Sequence, residues 1–218
     1  MTTLTTAPLA PLLDRLFEQA KAATGPTWSD FPREELDRLM HSKTEYRDLY
    51  GRLKHLWLPV SRDTAKLLYM LARSCRARTI VEFGTSFGIS TLHLAAALRD
   101  NGGGQLITTE FEPSKVAQAR EHLKAGGVLD LVDIREGDAL QTLRVDLPET
   151  IDLLLLDGAK ALYPEVLGLV ESRLRPGTLI VADNADYSPE YLARVRSPDS
   201  GYLSVPFAED VELSMRHG

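Results

Sequence analysis

One cysteine, Cys75, is all the thiol chemistry that 218 residues offer. An intrachain disulfide is therefore excluded, and a thiolate metal cage has no ligands. Long apolar runs are missing too, and nothing approaches the length of a membrane span. There is no excess of basic charge. Lys and Arg number 25 against 31 Asp and Glu, for a net charge of −6, whereas a nucleic-acid partner demands a concentrated basic stripe. Arg73, Arg76 and Arg78 cluster where a helix should end, a position that favours cations without any ligand. The five histidines, His41, His55, His93, His122 and His217, are scattered without metal-ligand spacing. Residues 1–13 carry no Lys or Arg ahead of their apolar residues and are interrupted by Pro8 and Pro11, which is not the form of a secretory signal. A cytoplasmic protein is expected, with neither nucleic acid nor membrane as partner.

What is present is a change of rhythm. A helix is expected over 12–23, stopped by Gly25 and Pro26. From 32 to 57, Leu36, Leu39, Met40, Leu49, Tyr50, Leu53, Leu56 and Trp57 recur mostly three or four apart, predicting one amphipathic helix or two. A further helix is expected over 63–74. After Arg78, short apolar strands alternate with helices, the pattern of a parallel sheet covered on both faces. Strands are predicted at 79–83, 105–110, 131–135, 151–156 and 178–182, with helices starting near Ser90, Pro113, Asp138 and Leu162. Two last strands, 202–205 and 211–215, lie so close in sequence that they must form an antiparallel hairpin around 206–210. With no linker or repeat, 1–218 reads as a single domain, comprising a helical part at 1–58 and an α/β core at 59–218.

The first strand turns directly into Gly84-Thr85-Ser86-Phe87-Gly88-Ile89-Ser90 and then a helix. Glycines at such a turn let backbone approach a nucleotide, and the helix presents free N–H groups to it; a tight βα turn would need the same glycines for its own dihedral angles. Ser86 stands where the dinucleotide fingerprint places its middle glycine, and Glu82 puts an acid at the strand end. A pyrophosphate is repelled by that charge and a nicotinamide dinucleotide is disfavoured. A cofactor with a cationic amino group, such as S-adenosylmethionine, is attracted. Glu110 ends the second strand, where an acid can accept from both ribose hydroxyls. Asp138 can accept the adenine amino hydrogen, cap the following helix, or do both.

Asp157 and Asp183-Asn184 end neighbouring strands about 5 Å apart. Their hard oxygens suit Mg²⁺ rather than Zn²⁺, although Asp and Asn also close βα loops without any metal. Lys160 can reach the same edge. Near a cation, in a partly dry pocket, it can lose its proton and act as general base.

These segments resemble the cation-dependent O-methyltransferases of the catechol and caffeoyl-coenzyme A group. The likeness covers roughly 56–218 and is carried by Val-Glu-Phe-Gly-Thr-Ser-Phe-Gly-Ile-Ser at 81–90, Asp157-Gly158-Ala159-Lys160 with Tyr163, and Ala182-Asp183-Asn184. It implies an α/β fold, a Rossmann-like class I methyltransferase whose seven-stranded, mostly parallel sheet ends in an antiparallel hairpin, with extra N-terminal helices. It implies that Glu82, Gly84, Ser86 and Ser90 hold the methionine end of S-adenosylmethionine, Glu110 the ribose, and Asp138 and Ala139 the adenine, with Asp157 beside the cofactor. Asp157, Asp183 and Asn184 would bind Mg²⁺, and Lys160 would deprotonate the hydroxyl of a small catechol-like acceptor. A homodimer is implied as well. Gly158 and Ala159 replace bulkier residues of parts of the family, so the pocket wall is expected from Trp57, Tyr187 or Tyr202; Leu58-Pro59-Val60-Ser61 loosely matches the segment covering the methyl end. Two alternatives stand beside this reading: a metal-independent methyltransferase of the same fold, and a catalytically silent adenosyl-binding module. DNA methylation is disfavoured by the acidic balance and by the lack of an Asn-Pro-Pro-Tyr or Asp-Pro-Pro-Tyr motif.

Overall fold

The computed structural model describes residues 1–207 and 210–218; Ala208 and Glu209, inside the expected hairpin turn, lie outside the described residues. Helix α1 (Leu9–Ala22) starts three residues before the expected 12, because Pro11 falls in the first turn, where no intrahelical N–H bond is required. The 32–57 stretch divides into α2 (Arg33–Met40) and α3 (Tyr46–Arg52). These two share a small core of Leu39, Leu49 and Leu53. The Ser61 hydroxyl accepts from the Thr64 N–H and caps α4 (Arg62–Ser74).

The α/β part runs β1 (Thr79–Phe83), α5 (Ile89–Asp100), β2 (Gln105–Glu110), α6 (Pro113–Ala125), β3 (Val132–Glu136), α7 (Ala139–Thr142), β4 (Ile151–Leu156), α8 (Tyr163–Val170), β5 (Leu174–Ala182), α9 (Pro189–Val195), β6 (Tyr202–Phe207) and β7 (Val211–Arg216). The strands form one seven-stranded sheet in the order β3-β2-β1-β4-β5-β7-β6. β7 runs against both its neighbours, β5 and β6, while β1 to β5 are mutually parallel. Two expected strands shift at their starts. Leu131 ends a 3₁₀ turn instead of opening β3, and β5 begins at Leu174 because that residue pairs with Ile151 across an irregularity in register. Helix α9 was not expected from the periodicity.

All six residues of β4 are buried, as a strand covered on both faces requires. One face of the sheet packs against residues of α1, α4, α5 and α6, among them Leu12, Leu68, Leu92 and Val116. The other packs against α7, α8 and α9 through Leu143, Val166, Tyr191 and Val195. Each fully buried Leu or Ile contributes roughly 1.5–3 kcal/mol by leaving water, and together they fix the strand ends that carry the polar residues of interest. No helix among the described residues is long and apolar enough to cross a membrane. β1 lies between β2 and β4, so the crevice outside the carboxyl ends of these strands is where an open α/β sheet takes its ligand.

Candidate active site

That crevice is a cleft with two lobes. A hollow of about 680 Å³ is lined by residues including Tyr46, Tyr50, Phe83, Glu110, Phe111, Asp138 and Ala139. A smaller one of about 250 Å³ is lined by Trp57, Pro59, Val60, Phe87 and Ser90 among others. Leu58, Gly84, Ser86 and Asp157 border both.

The turn after β1 is built by close approach. Gly84 has φ 107°, and a Cβ there would stand 2.5 Å from the Asp157 carbonyl oxygen, so only glycine lets the end of β1 lie against the end of β4. Ser86 follows in the left-handed region at φ 46°. Its N–H donates to Glu110 Oε2 at 2.9 Å, and the Glu112 N–H donates to Glu110 Oε1 at 3.0 Å. Glu110 is therefore fixed before any ribose arrives, with burial pushing its carboxyl above the usual range. The Ser86 and Thr109 hydroxyl oxygens are sealed from water and have no partner among the described residues, and both residues border the larger hollow. Such orphaned polar atoms fit a ligand that brings its own hydrogen-bonding groups.

Glu82 is not on the wall, contrary to the expectation that it meets the cofactor's amino group directly. It is fully buried beneath α5, accepting from the Ser90 hydroxyl at 2.5 Å and from the Thr91 hydroxyl at 2.6 Å. Ser90 reaches the smaller hollow in its place. Burial raises the Glu82 carboxyl to about 7. Trp57 stacks on Phe87 with ring centroids 4.0 Å apart and closes this lobe.

At the opposite end, Asp138 caps α7 through the Leu140 N–H at 3.0 Å. The same carboxylate accepts from the Tyr46 hydroxyl at 2.9 Å and pairs with Arg47. The capping role of Asp138 is made, and α3 is strapped over the hollow through the same carboxylate. Ala139 lines the same lobe.

Leu156 and Ala182 are paired in the β4–β5 register, so Asp157 and Asp183 leave the sheet side by side. Lys160 Nζ donates to Asp157 Oδ1 and to the Tyr163 hydroxyl, each at 2.9 Å, and that hydroxyl donates to the Asp183 carbonyl at 2.8 Å. Burial together with the neighbouring Asp157 charge raises Asp183 to about 8, and burial raises Asp157 as well. For Lys160 the direction is the reverse of the one expected. Burial alone would depress it, but the surrounding Tyr163 and Asp157 outweigh burial and hold its proton more tightly than in water. Asn184, in the left-handed region at φ 48°, donates from Nδ2 to Asp210 Oδ2 at 2.9 Å. No three His, Cys, Asp or Glu side chains gather as metal ligands among the described residues. Asp157 and Asp183 stand side by side with Asn184 next in sequence, and hard oxygens of this kind are chemically suited to a divalent cation such as Mg²⁺.

The wall also departs from expectation. Tyr187 is half exposed, at 49%, Tyr202 turns its hydroxyl to Glu171 at 2.7 Å, and Trp57 serves only the smaller lobe. Phe83 stands in the vacated space instead: a Cβ on Gly158 would lie 2.4 Å from its ring. Tyr46, Tyr50, Lys115, Phe83 and Asp210 were not singled out from the sequence. Tyr46 and Tyr50 carried a signal in their four-residue spacing, which puts both on one helix face. Lys115 carried another, as a cation in the first turn of a helix. Asp210 carried none.

The order 3-2-1-4-5-7-6, the glycine turn after β1 and the acid ending β2 define a fold, that of the Rossmann-like methyltransferases. Residues 81–185 match the family described as "Methyltransferase domain". A catechol O-methyltransferase of Niastella koreensis is 38% identical over 130 residues, 58% of each chain. Catechol O-methyltransferase B of Danio rerio is 31% identical over 175 residues, 77% of this chain and 65% of that one. The chain thus spans less than two-thirds of the length of these curated relatives. Among solved structures, the O-methyltransferase TomG of Streptomyces achromogenes, in complex with SAM, superposes with a TM-score of 0.65 at 25% identity, covering 93% of this chain and 95% of that one. Over its middle the chain resembles O-methyltransferases in sequence, and over nearly its whole length it shares their fold.

Proposed function

We propose that this protein transfers the methyl group of S-adenosylmethionine to a hydroxyl of a small catechol-like or otherwise vicinally oxygenated molecule, with Mg²⁺ or a similar cation at Asp157, Asp183 and Asn184. One observation carries the reading: Asp157, which borders both lobes of the cleft beside Ser86, is bonded to Lys160, and Lys160 is linked through the Tyr163 hydroxyl to the Asp183 carbonyl. The catechol O-methyltransferase names of the relatives support the acceptor class.

Glu110 is set to accept from ribose hydroxyls, Ser86 and Ser90 to meet the methionine end, and Asp138 with Ala139 to border the adenine. When bound, the cofactor supplies an electrophilic methyl group, and the cation lowers the pKa of an acceptor hydroxyl. The chain's own part is to hold and move a proton and to keep water out. Lys160 Nζ is oriented by Asp157 and Tyr163; a cation at Asp157 and Asp183 would offset the negative charge that tightens its proton, and the neutral amine, its own proton released to solvent, would then take the hydroxyl proton. Phe83, Tyr50 and Leu162 make that side apolar, which strengthens every charge interaction within it. We read the protein as cytoplasmic from its single cysteine, and as a homodimer from the resemblance.

Thermal unfolding with S-adenosylmethionine, S-adenosylhomocysteine or NAD, each with Mg²⁺ or EDTA, tests this without knowledge of the acceptor. Adenosyl ligand at a hundredfold over its Kd should add about 2.7 kcal/mol, more with Mg²⁺ than with EDTA. A shift with NAD alone would sink the reading. An adenosyl shift indifferent to EDTA would replace it with a metal-independent methyltransferase, and binding without methylation of any vicinal diol with a silent adenosyl-binding module.

A further inference from the structure

The cleft holds one charged side chain that neither the fold nor the proposed chemistry uses. Lys115 is the third residue of α6, where the helix terminus already concentrates positive charge, so its ammonium works against the dipole. Yet it is only 5% exposed and lines the larger hollow. Its Nζ stands 5.4 Å from the centroid of the Phe87 ring. Among the described residues, Glu110, Glu112 and Asp157 act on it through space and none bonds to it. Beside Glu110 on the same cleft is a second unpartnered group, the sealed Ser86 hydroxyl. An ammonium on a mostly buried stem, given no hydrogen bond by these residues, is left facing the hollow, and a ligand oxygen delivered there supplies the partner. The oxygens available on the Glu110 side are those of a sugar. Lys115 borders the lobe of Glu110, not the lobe of Ser90 and Trp57 where an amino-acid end would lie.

We propose that Lys115 is a ribose-binding residue, whose ammonium donates to a hydroxyl oxygen of the bound adenosyl ligand while Glu110 accepts from the hydroxyls. The sugar is thereby gripped by a donor and an acceptor at once. This rests on the adenosyl reading above, and the experiment keeps the two apart.

Wild type, Lys115→Met and Lys115→Arg are titrated calorimetrically with S-adenosylhomocysteine, with 5′-methylthioadenosine, which lacks the amino-acid end, and with the 2′,3′-dideoxy form of the latter. Methionine keeps the length of the buried stem, and unfolding midpoints without ligand check that each variant is folded; Lys115→Gln takes its place should it not be. The methionine variant should weaken both hydroxylated ligands by one common factor of about ten and leave the dideoxy ligand unchanged, with arginine restoring part of the loss. Such a coupling between side chain and hydroxyls is not produced by a general loosening of the pocket. A loss confined to S-adenosylhomocysteine would reassign the ammonium to the carboxylate end and overturn the proposal. An equal loss for the dideoxy ligand, or none for any ligand, would reduce Lys115 to a counter-charge for Glu110 and overturn it also. Failure of the wild type to bind any of the three would remove the adenosyl reading itself.

Discussion

At the β1–β2 end of the cleft every buried carboxylate is met by donors, Glu82 by two hydroxyls and Glu110 by two backbone N–H groups. At the β4–β5 end Asp157 and Asp183 stand together with a single lysine, and Asp183 is driven up to about 8. The carboxylates of the first end are satisfied without a ligand. The second is left short of positive charge, as suits a place where charge must change during a reaction. The difference teaches where to look for chemistry in such a sheet: at the strand ends whose polar groups are incompletely matched, not at those with the most hydrogen bonds.

The contrast can be broken most forcefully at Lys160. Lys160→Met should lower turnover of a catechol acceptor by about a thousandfold while leaving the affinity for S-adenosylhomocysteine almost unchanged; a variant with full turnover would make both ends equally passive. Next in size is Glu82. Its folded carboxyl titrates near 7 against an ordinary 4.5, so the native state binds the extra proton. The associated stability is complete below pH 4.5, falls as pH rises and is gone above 7, a span on the order of 3 kcal/mol. Glu82→Gln should flatten that slope in urea unfolding followed from pH 4.5 to 8, and an unchanged slope would show that Glu82 is ionised throughout.

A smaller effect is expected where the two ends meet. Gly158→Ala drives a methyl group into the Phe83 ring and should cost about 1–3 kcal/mol, relieved when Phe83→Leu is combined with it; additive losses would mean that the two do not share this space. Smallest is the strap. Arg47 is more than half exposed where it pairs with Asp138, so Arg47→Met should change the release rate of S-adenosylhomocysteine by no more than about fivefold. Trp57, stacked on Phe87 in the smaller lobe, provides the fluorescence signal for a stopped-flow measurement.

Much of the sheet was legible because buried strands must be short apolar runs and their turns need glycine. Residues 79–83, 105–110 and 151–156 were bounded correctly for that reason. The placing of Asp157 beside Asp183 followed from strand ends alone. What could not be read depends on contacts between distant segments. Nothing near Asp138 reveals that Tyr46 and Arg47, some ninety residues earlier, occupy its carboxylate. Nothing near Glu82 reveals that Ser90 and Thr91 stand between it and the cleft. The tightened proton of Lys160 has the same origin, since composition shows a lysine near carboxylates but not that Tyr163 and Asp157 enclose it.

The strand order has a consequence for synthesis on the ribosome. β7 is made after β6, yet it lies inside it, between β5 and β6. β6 therefore has nowhere to dock while it alone has emerged, and the flank of β5 stays open until β7 follows. Everything from β1 to the end of β4, including Glu82, Glu110 and Asp157, can by then have found its neighbours. The Asn184–Asp210 contact cannot, because Asp210 leads directly into β7. The Asn184 corner of the cleft is thus completed only after β7 has emerged, later than the rest of the site.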